Sequence, residues 1–136
     1  MRSLGLDVGD KRIGVALSDP DGILASPLTA INRKEESLDI KAITDIVDQQ
    51  GVSFIVVGLP RSLDGSLGWQ VSKVKDFVRK LSQHIRVPVY YRDERLTTVM
   101  ARRLKRISGR KGGRGKKSDD AQAAALILQN YLDEER

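Results

Sequence analysis

Alternating apolar and polar residues open the chain. Residues 4–8 carry Leu, Leu and Val at every second position, and after a Gly-Asp-Lys turn the alternation resumes over residues 13–17. This period of two predicts a β-hairpin. A third extended stretch, residues 24–31, contains Pro27, which a strand tolerates best at a sheet edge or a bulge. The opening of the chain therefore predicts three antiparallel strands.

Apolar residues at helical spacing follow in four further segments: residues 34–50, 71–85, 97–107 and 119–132. In the first of these helices the apolar stripe includes Leu38 and leaves Ile40 off it, and Gly51 can end the helix. Gly109 opens a glycine-rich loop over residues 110–117, so the last helix is predicted to begin at about Asp119.

Two more strands lie between these helices. Residues 54–57 form a continuous apolar run, which is typical of a parallel strand covered on both faces. Residues 87–91 predict another strand, although Pro88 is awkward near its start. The order βββαβαβαα predicts an α/β fold: one domain over residues 1–136, with a mixed five-stranded sheet and helices on both faces.

The amino-acid composition excludes several kinds of functional site. The 136 residues contain no Cys and one His, which excludes disulfides, thiolate nucleophiles and zinc ribbons, so any metal site must use mainly oxygen ligands. No apolar run approaches the roughly 20 residues of a bilayer span. The first residues also lack the apolar core of a signal peptide. We therefore expect a cytoplasmic protein with no membrane partner.

The net charge of +6 is concentrated in one segment. Residues 102–117 contain nine basic and no acidic residues, so the rest of the chain is mildly acidic. A dense basic segment in an otherwise mildly acidic chain predicts contact with a polyanion, for which nucleic acid is the favoured candidate. The alternative is that the segment is a solvated loop. The nucleic-acid-binding residues that we predict are Arg110, Lys111, Arg114, Lys116 and Lys117.

Three acidic positions occur where strand or helix ends can meet. Asp7 lies in the first strand on the face opposite its leucines, Asp93-Glu94 follows the last strand, and Asp119-Asp120 opens the last helix. Each has a structural alternative: Asp7 can cap a turn, Asp93 and Glu94 can pair with adjacent arginines, and Asp119 can cap the helix together with Gln122. Asp120 is in register with the inward stripe of its helix and is harder to explain as a cap.

If Asp7, Glu94 and Asp120 converge, their mutual repulsion requires a cation. Mg²⁺ or Mn²⁺ suits hard oxygen ligands, and two such ions about 4 Å apart can activate water and stabilise the leaving oxygen of a phosphodiester. The three carboxylates therefore indicate nuclease chemistry of the two-metal type.

Four groups of residues carry a resemblance to a known family: Gly5-Leu6-Asp7-Val8-Gly9 with Lys11-Arg12-Ile13-Gly14-Val15-Ala16; Val57-Gly58-Leu59-Pro60 with Asp64-Gly65; Asp93-Glu94-Arg95-Leu96-Thr97-Thr98; and Asp120 before Ala123-Ala124-Ala125-Leu126-Ile127-Leu128-Gln129. Over nearly its whole length the chain resembles the YqgF-type pre-16S ribosomal RNA nucleases, which are similar to Holliday-junction resolvases. The resemblance implies a ribonuclease H-like fold, a metal-dependent phosphodiesterase activity and a role in ribosome biogenesis.

Carried over residue by residue, the acidic positions of that family fall on Asp7, Glu94 and Asp120. Asp93 competes for the middle position, and Asp119 stands where the family more often has an apolar residue. The favoured function is processing of the 5′ end of pre-16S ribosomal RNA. The alternatives are a junction-resolving DNA nuclease, for which a homodimer is favoured over a monomer, and a non-catalytic RNA-binding assembly factor.

Two further observations concern other functions. The segment from Asp7 to Gly14 also looks like the phosphate hairpin of actin-like kinases and ATPases, but those proteins enclose nucleotide between two domains and 136 residues accommodate one. Trp69 can belong to the core or offer a platform for base stacking, and His84 is expected at the surface near a helix end.

Overall fold

A computed structural model describes residues 1–60, 68–93 and 115–135. Its five strands are β1 (Ser3–Val8), β2 (Arg12–Ser18), β3 (Ala25–Asn32), β4 (Phe54–Leu59) and β5 (Val89–Asp93). Its helices are α1 (Glu36–Gln50), α2 (Gly68–Ser82) and α3 (Gly115–Glu134). The strands form one mixed sheet in the order β3-β2-β1-β4-β5, which confirms the predicted α/β architecture. The helix predicted from Thr97 lies outside the described residues.

The opening strands are antiparallel, as predicted. β1 and β2 form a hairpin in which Val8 pairs with Ile13, and β3 continues the sheet at its edge. The register shifts where Val15 pairs with Thr29 but Ala16 pairs with Pro27. This bulge on an edge strand accommodates a proline because Pro has no N–H for a ladder hydrogen bond.

The other half of the sheet is parallel. β4 lies between β1 and β5 and is parallel to both. Ile55 and Val57 enter the core on one face while Val56 enters the core on the other, and all three are fully buried. Burial on both faces explains the continuous apolar run and confirms the prediction of a central parallel strand. β5 begins at Val89, two residues later than predicted, and the carbonyl of Pro88 accepts a hydrogen bond from the Ile55 N–H at 2.9 Å.

Helices cover both faces of the sheet. α1 and α2 pack on one face over a core that includes Leu6, Ile43 and Phe77. α3 packs on the other face through Ala124 and Leu128. The two cores together explain why the sheet carries apolar residues on both sides. Within the part of the chain that the structure describes, no helix has the length and apolarity required to cross a bilayer.

The inward face of α1 differs from the prediction. Leu38 is 51% exposed, whereas Ile40 is only 6% exposed and packs with Ile43 and Val47. Two residues along an α-helix are about 200° apart around its axis, so only one of Leu38 and Ile40 can face the sheet. The helix ends as predicted at Gly51, which adopts a left-handed φ of 63° and donates its N–H to the Val47 carbonyl.

The start of α3 also differs from the prediction. The helix begins at Gly115, so residues 115–117 are helical rather than part of a loop that reaches Lys117. Lys and Ser are compatible with a helix interior, and nothing in this short stretch forces the helix to begin at Asp119. Residues 110–114 of the predicted loop lie outside the described residues.

A carboxylate organises the turn between β2 and β3. Asp19 Oδ1 accepts hydrogen bonds from the backbone N–H groups of Ile23 at 2.7 Å and Leu24 at 3.1 Å. These two bonds, that of Ile23 first, lower the pKa of the Asp19 carboxyl below its ordinary value. The ionised form is thus favoured in the folded protein.

We expect Asp19→Asn to alter how stability depends on pH. Because the folded pKa is lowered, the contribution of the Asp19 charge is present above the ordinary pKa of 3.8 and disappears as pH falls through the folded pKa. Urea unfolding should therefore give the wild type a higher free energy of unfolding than the variant at pH 7. This difference should shrink below about pH 4. A difference that stays constant down to pH 2 would contradict this role.

Candidate active site

Asp7 lies near the carboxyl end of β1, on the face that α3 covers. Leu4 and Leu6 point into the core beneath α1 and α2, so the alternation of the strand directs Asp7 to the opposite face. Its antiparallel partner across the hairpin is Gly14 of β2. Directly paired residues share a face of the sheet, so the space above Gly14 adjoins the Asp7 side chain.

Helix α3 comes into direct contact with β2 at Gly14. A Cβ atom added to Gly14 would lie 1.9 Å from the backbone oxygen of Asp120, a separation that no side chain can adopt. A Cβ on Gly5 would similarly lie 2.7 Å from the Ala124 oxygen. The two glycines allow the helix backbone to approach the sheet closely. This approach brings Asp120 beside the strand pair that carries Asp7.

The Asp120 carboxylate is held by a cation of β2. Arg12 Nε donates to Asp120 Oδ2 at 2.6 Å, and the two side chains are only 25% and 30% exposed. A short, charge-assisted hydrogen bond of this kind fixes the orientation of the carboxylate. Arg12 was not among the predicted site residues, although it belongs to the segment that carries the family resemblance. A lone arginine in a hairpin gives no signal for a partner so distant in sequence.

Asp119 and Asp120 do not cap the last helix. α3 begins at Gly115, so both aspartates lie in its second turn, beyond the free backbone N–H groups of the first turn. The alternative of an Asp119–Gln122 capping box is therefore wrong. Asp119 Oδ1 and Gln122 Oε1 are both buried and have no hydrogen-bond partner among the described residues.

At the end of β5 the structure describes Asp93, whereas Glu94 lies outside the described residues. Arg92 pairs with Gly58 in the register and forms an ion pair with Glu134 of α3, so it lies on the α3 face. Asp93 is the next residue and projects to the face of α1 and α2. This orientation separates Asp93 from Asp7 and Asp120.

The predicted phosphate-binding residues are only partly described. Arg110, Lys111 and Arg114 lie outside the described residues. Lys116 and Lys117 belong to the first turn of α3, one turn before Asp120. The helix therefore connects the basic segment directly to the predicted site.

A cleft of about 460 Å³ opens beside Asp7, where β1 and β4 end between α1 and α2. Among residues 1–60, 68–93 and 115–135, four acidic and three basic side chains contribute to its lining: Asp7, Asp10, Glu36 and Asp76, with Arg33, Lys73 and Lys80. Each of the three cations has an acidic neighbour, because Arg33 pairs with Asp39, Lys73 with Asp10 and Lys80 with Glu36. The described part of the lining is thus polar and carries no net positive charge.

The donor set suits a hard divalent cation. Asp7 and Asp120 offer carboxylate oxygens on one face of the sheet, and these are ligands that Mg²⁺ and Mn²⁺ prefer. The described ranges contain no group of three or more His, Cys, Asp or Glu side chains placed to hold an ion. The third predicted ligand, Glu94, is not among these ranges, so the two aspartates form the described part of the site.

The RuvX family model, described as Holliday junction resolvase, matches residues 1–134 of this chain. Among curated proteins, one from Caldanaerobacter subterraneus is 49% identical, covering 100% of this chain and 99% of the relative. One from Moorella thermoacetica is 47% identical, with 98% and 95% covered. Both are named "Putative pre-16S rRNA nuclease".

Solved structures show which fold this is. Thermus thermophilus RuvC in complex with a Holliday junction substrate superimposes with a TM-score of 0.65 at 16% identity, covering 99% of this chain and 95% of RuvC. The fowlpox virus Holliday junction resolvase gives 0.58 at 12% identity, with 98% and 99% covered. Both comparisons confirm the ribonuclease H-like fold predicted from the resemblance. With the family model spanning nearly the whole sequence, the chain belongs to the RuvX family of resolvase-like nucleases.

Proposed function

We propose that this nuclease uses divalent metal ions to process the 5′ end of pre-16S ribosomal RNA. The observation that carries the proposal is the contact of α3 with Gly14, which brings Asp120 to the same face of the sheet as Asp7. Two hard carboxylates on one face of the sheet suit hydrolysis of a phosphodiester. The names of the curated relatives support ribosomal RNA as the substrate.

In this proposal Asp7, Glu94 and Asp120 hold Mg²⁺ or Mn²⁺. When bound, a pair of such ions supplies the means to activate water and to stabilise the leaving oxygen. Arg12 orients the Asp120 carboxylate through its 2.6 Å hydrogen bond. Because Arg12 holds Asp120, the Asp120 carboxylate is already oriented as a metal ligand before the substrate binds.

The basic segment holds the substrate backbone in this proposal. Arg110, Lys111, Arg114, Lys116 and Lys117 contact phosphates, which gives affinity without sequence information. Residues 1–136 act as a single nuclease domain, as a monomer or a homodimer. Because precursor ribosomal RNA is transcribed in the bacterial cytoplasm, this is the compartment in which we expect the protein to act.

A second candidate is resolution of branched DNA. It is favoured by the description of the family model and by the fold shared with RuvC. Both candidate functions use the same carboxylates, so the metal site does not distinguish them. They differ in the nucleic acid that is bound, which is RNA in the first and branched DNA in the second.

Substrate competition separates the two candidates. At one fixed salt concentration with Mg²⁺, we expect cleavage of a pre-16S segment spanning the mature 5′ end to exceed cleavage of a four-way DNA junction by at least about 10-fold. Fixed salt matters because phosphate contacts make nucleic-acid affinity strongly salt-dependent. Asp120→Asn serves as the inactive control.

The opposite preference would assign the protein to branched DNA. RNA binding without Mg²⁺-dependent cleavage of either substrate would instead assign it to the non-catalytic class, as an assembly factor.

A further inference from the structure

Trp69, the only tryptophan of the chain, stands at the start of α2 and is 54% exposed. The structure thereby excludes the core position that the sequence left open. A tryptophan presents roughly 150–250 Å² of mainly apolar surface, which is unfavourable to leave in water. Single exposed aromatic residues are common on protein surfaces, so the surroundings of the ring decide whether it has a role.

Those surroundings connect the ring to the cleft beside Asp7. Lys73, one helical turn further along α2, holds its ammonium nitrogen 4.7 Å from the centroid of the Trp69 ring. The same nitrogen lies 3.6 Å from Asp10 Oδ1. Lys73 and Gln70 both line the cleft that Asp7 also lines. Trp69 therefore stands on the rim of this cleft.

The charges of the cleft lining indicate how Trp69, at its rim, can contact a nucleic acid. Among the lining residues that the structure describes, acidic side chains outnumber basic ones, and Lys73 and Lys80 are each paired with a carboxylate. Phosphates therefore gain little from these described side chains alone. Stacking of a base on an aromatic ring does not depend on net charge and tolerates any sequence. Lys73 lies over one face of the Trp69 ring and is attracted to it, so a base would stack on the other face.

We propose that Trp69 stacks on an unpaired base of the substrate and so selects nucleic acid that is single-stranded next to the cleft. This inference rests on the proposed nuclease function and adds to it a residue that determines substrate class. A base within an intact duplex has both faces covered by its neighbours and cannot lie on the ring without leaving the stack.

The intrinsic fluorescence of Trp69 tests this directly, because no other tryptophan contributes. Without divalent ions, so that nothing is cleaved, a single-stranded RNA of about 12 nucleotides should quench this fluorescence, and the same sequence as a blunt duplex should quench it far less. Measured by anisotropy of a labelled RNA, Trp69→Ala should weaken single-strand binding by about 5- to 150-fold. Trp69→Phe should restore most of the affinity.

The matched control is Leu38→Ala, which truncates another half-exposed apolar side chain on α1 outside the cleft lining and should leave affinity unchanged. Thermal unfolding of each variant verifies that it is folded. RNA binding with no change in Trp69 fluorescence, or equal affinity of Trp69→Ala and wild type, would overturn the stacking role and leave the nuclease proposal intact. Failure of the wild type to bind any oligonucleotide would overturn both.

Discussion

Replacing Asp120 by Asn is expected to lower Mg²⁺-dependent cleavage by at least about 100-fold, equivalent to about 2.7 kcal/mol of transition-state stabilisation. Asn has nearly the shape of Asp but lacks the negative charge that a hard cation requires. The substitution also leaves Arg12 without its ionic partner. Because both side chains are partly exposed, this loss should cost at most about 1 kcal/mol of stability, so the variant should fold.

The measurement is single-turnover cleavage, accompanied by a Mn²⁺-binding titration that does not depend on activity. Asp7→Asn should produce the same two losses, since Asp7 lies on the same face of the sheet. The matched control is Asp119→Asn, one residue away on α3, which should retain most of the activity. If Asp119→Asn is inactive while Asp120→Asn cleaves normally, the two aspartates have been assigned in the wrong order.

Gly14→Ala is expected to reduce the thermal stability of the protein by about 10 °C, corresponding to about 3 kcal/mol, the upper part of the usual range for overpacking. The added methyl group would lie 1.9 Å from the Asp120 backbone oxygen. A backbone atom in the second turn of a packed helix cannot rotate out of the way as a side chain can. α3 must therefore move off the sheet, and Asp120 must move with it.

Gly14→Ala should consequently lose cleavage even at temperatures where the variant is folded. Calorimetry and cleavage assays below the transition check the two effects separately. Gly68→Ala is the matched control, because a Cβ at Gly68 meets no heavy atom of the described residues within 4 Å and Ala favours the start of α2. An unchanged transition temperature for Gly14→Ala would contradict the close packing of α3 on β2.

The predicted aspartates illustrate what local sequence cannot show. Asp93 and Glu94 are adjacent along the chain, yet the register of β5 directs Asp93 to the face of α1 and α2, away from Asp7. Which of Asp119 and Asp120 belongs to the candidate site depends similarly on where α3 begins and on how α3 lies over Gly14. In each case the deciding contact joins residues far apart in sequence, and a local pattern contains no information about the partner.

Elements that depend on local interactions could be predicted from the amino-acid pattern alone. A period of two specified the hairpin, and Pro27 indicated the edge of the sheet because proline cannot donate to a ladder. The apolar run at residues 54–57 specified the central strand. Three features could be read only from the folded chain: Ile40 rather than Leu38 is buried, Arg12 holds Asp120, and Trp69 faces solvent beside a cleft. Those outcomes depend on the packing of α1 and α3 against the sheet and on the ends of α2 and α3, which arise from long-range burial rather than from any one segment.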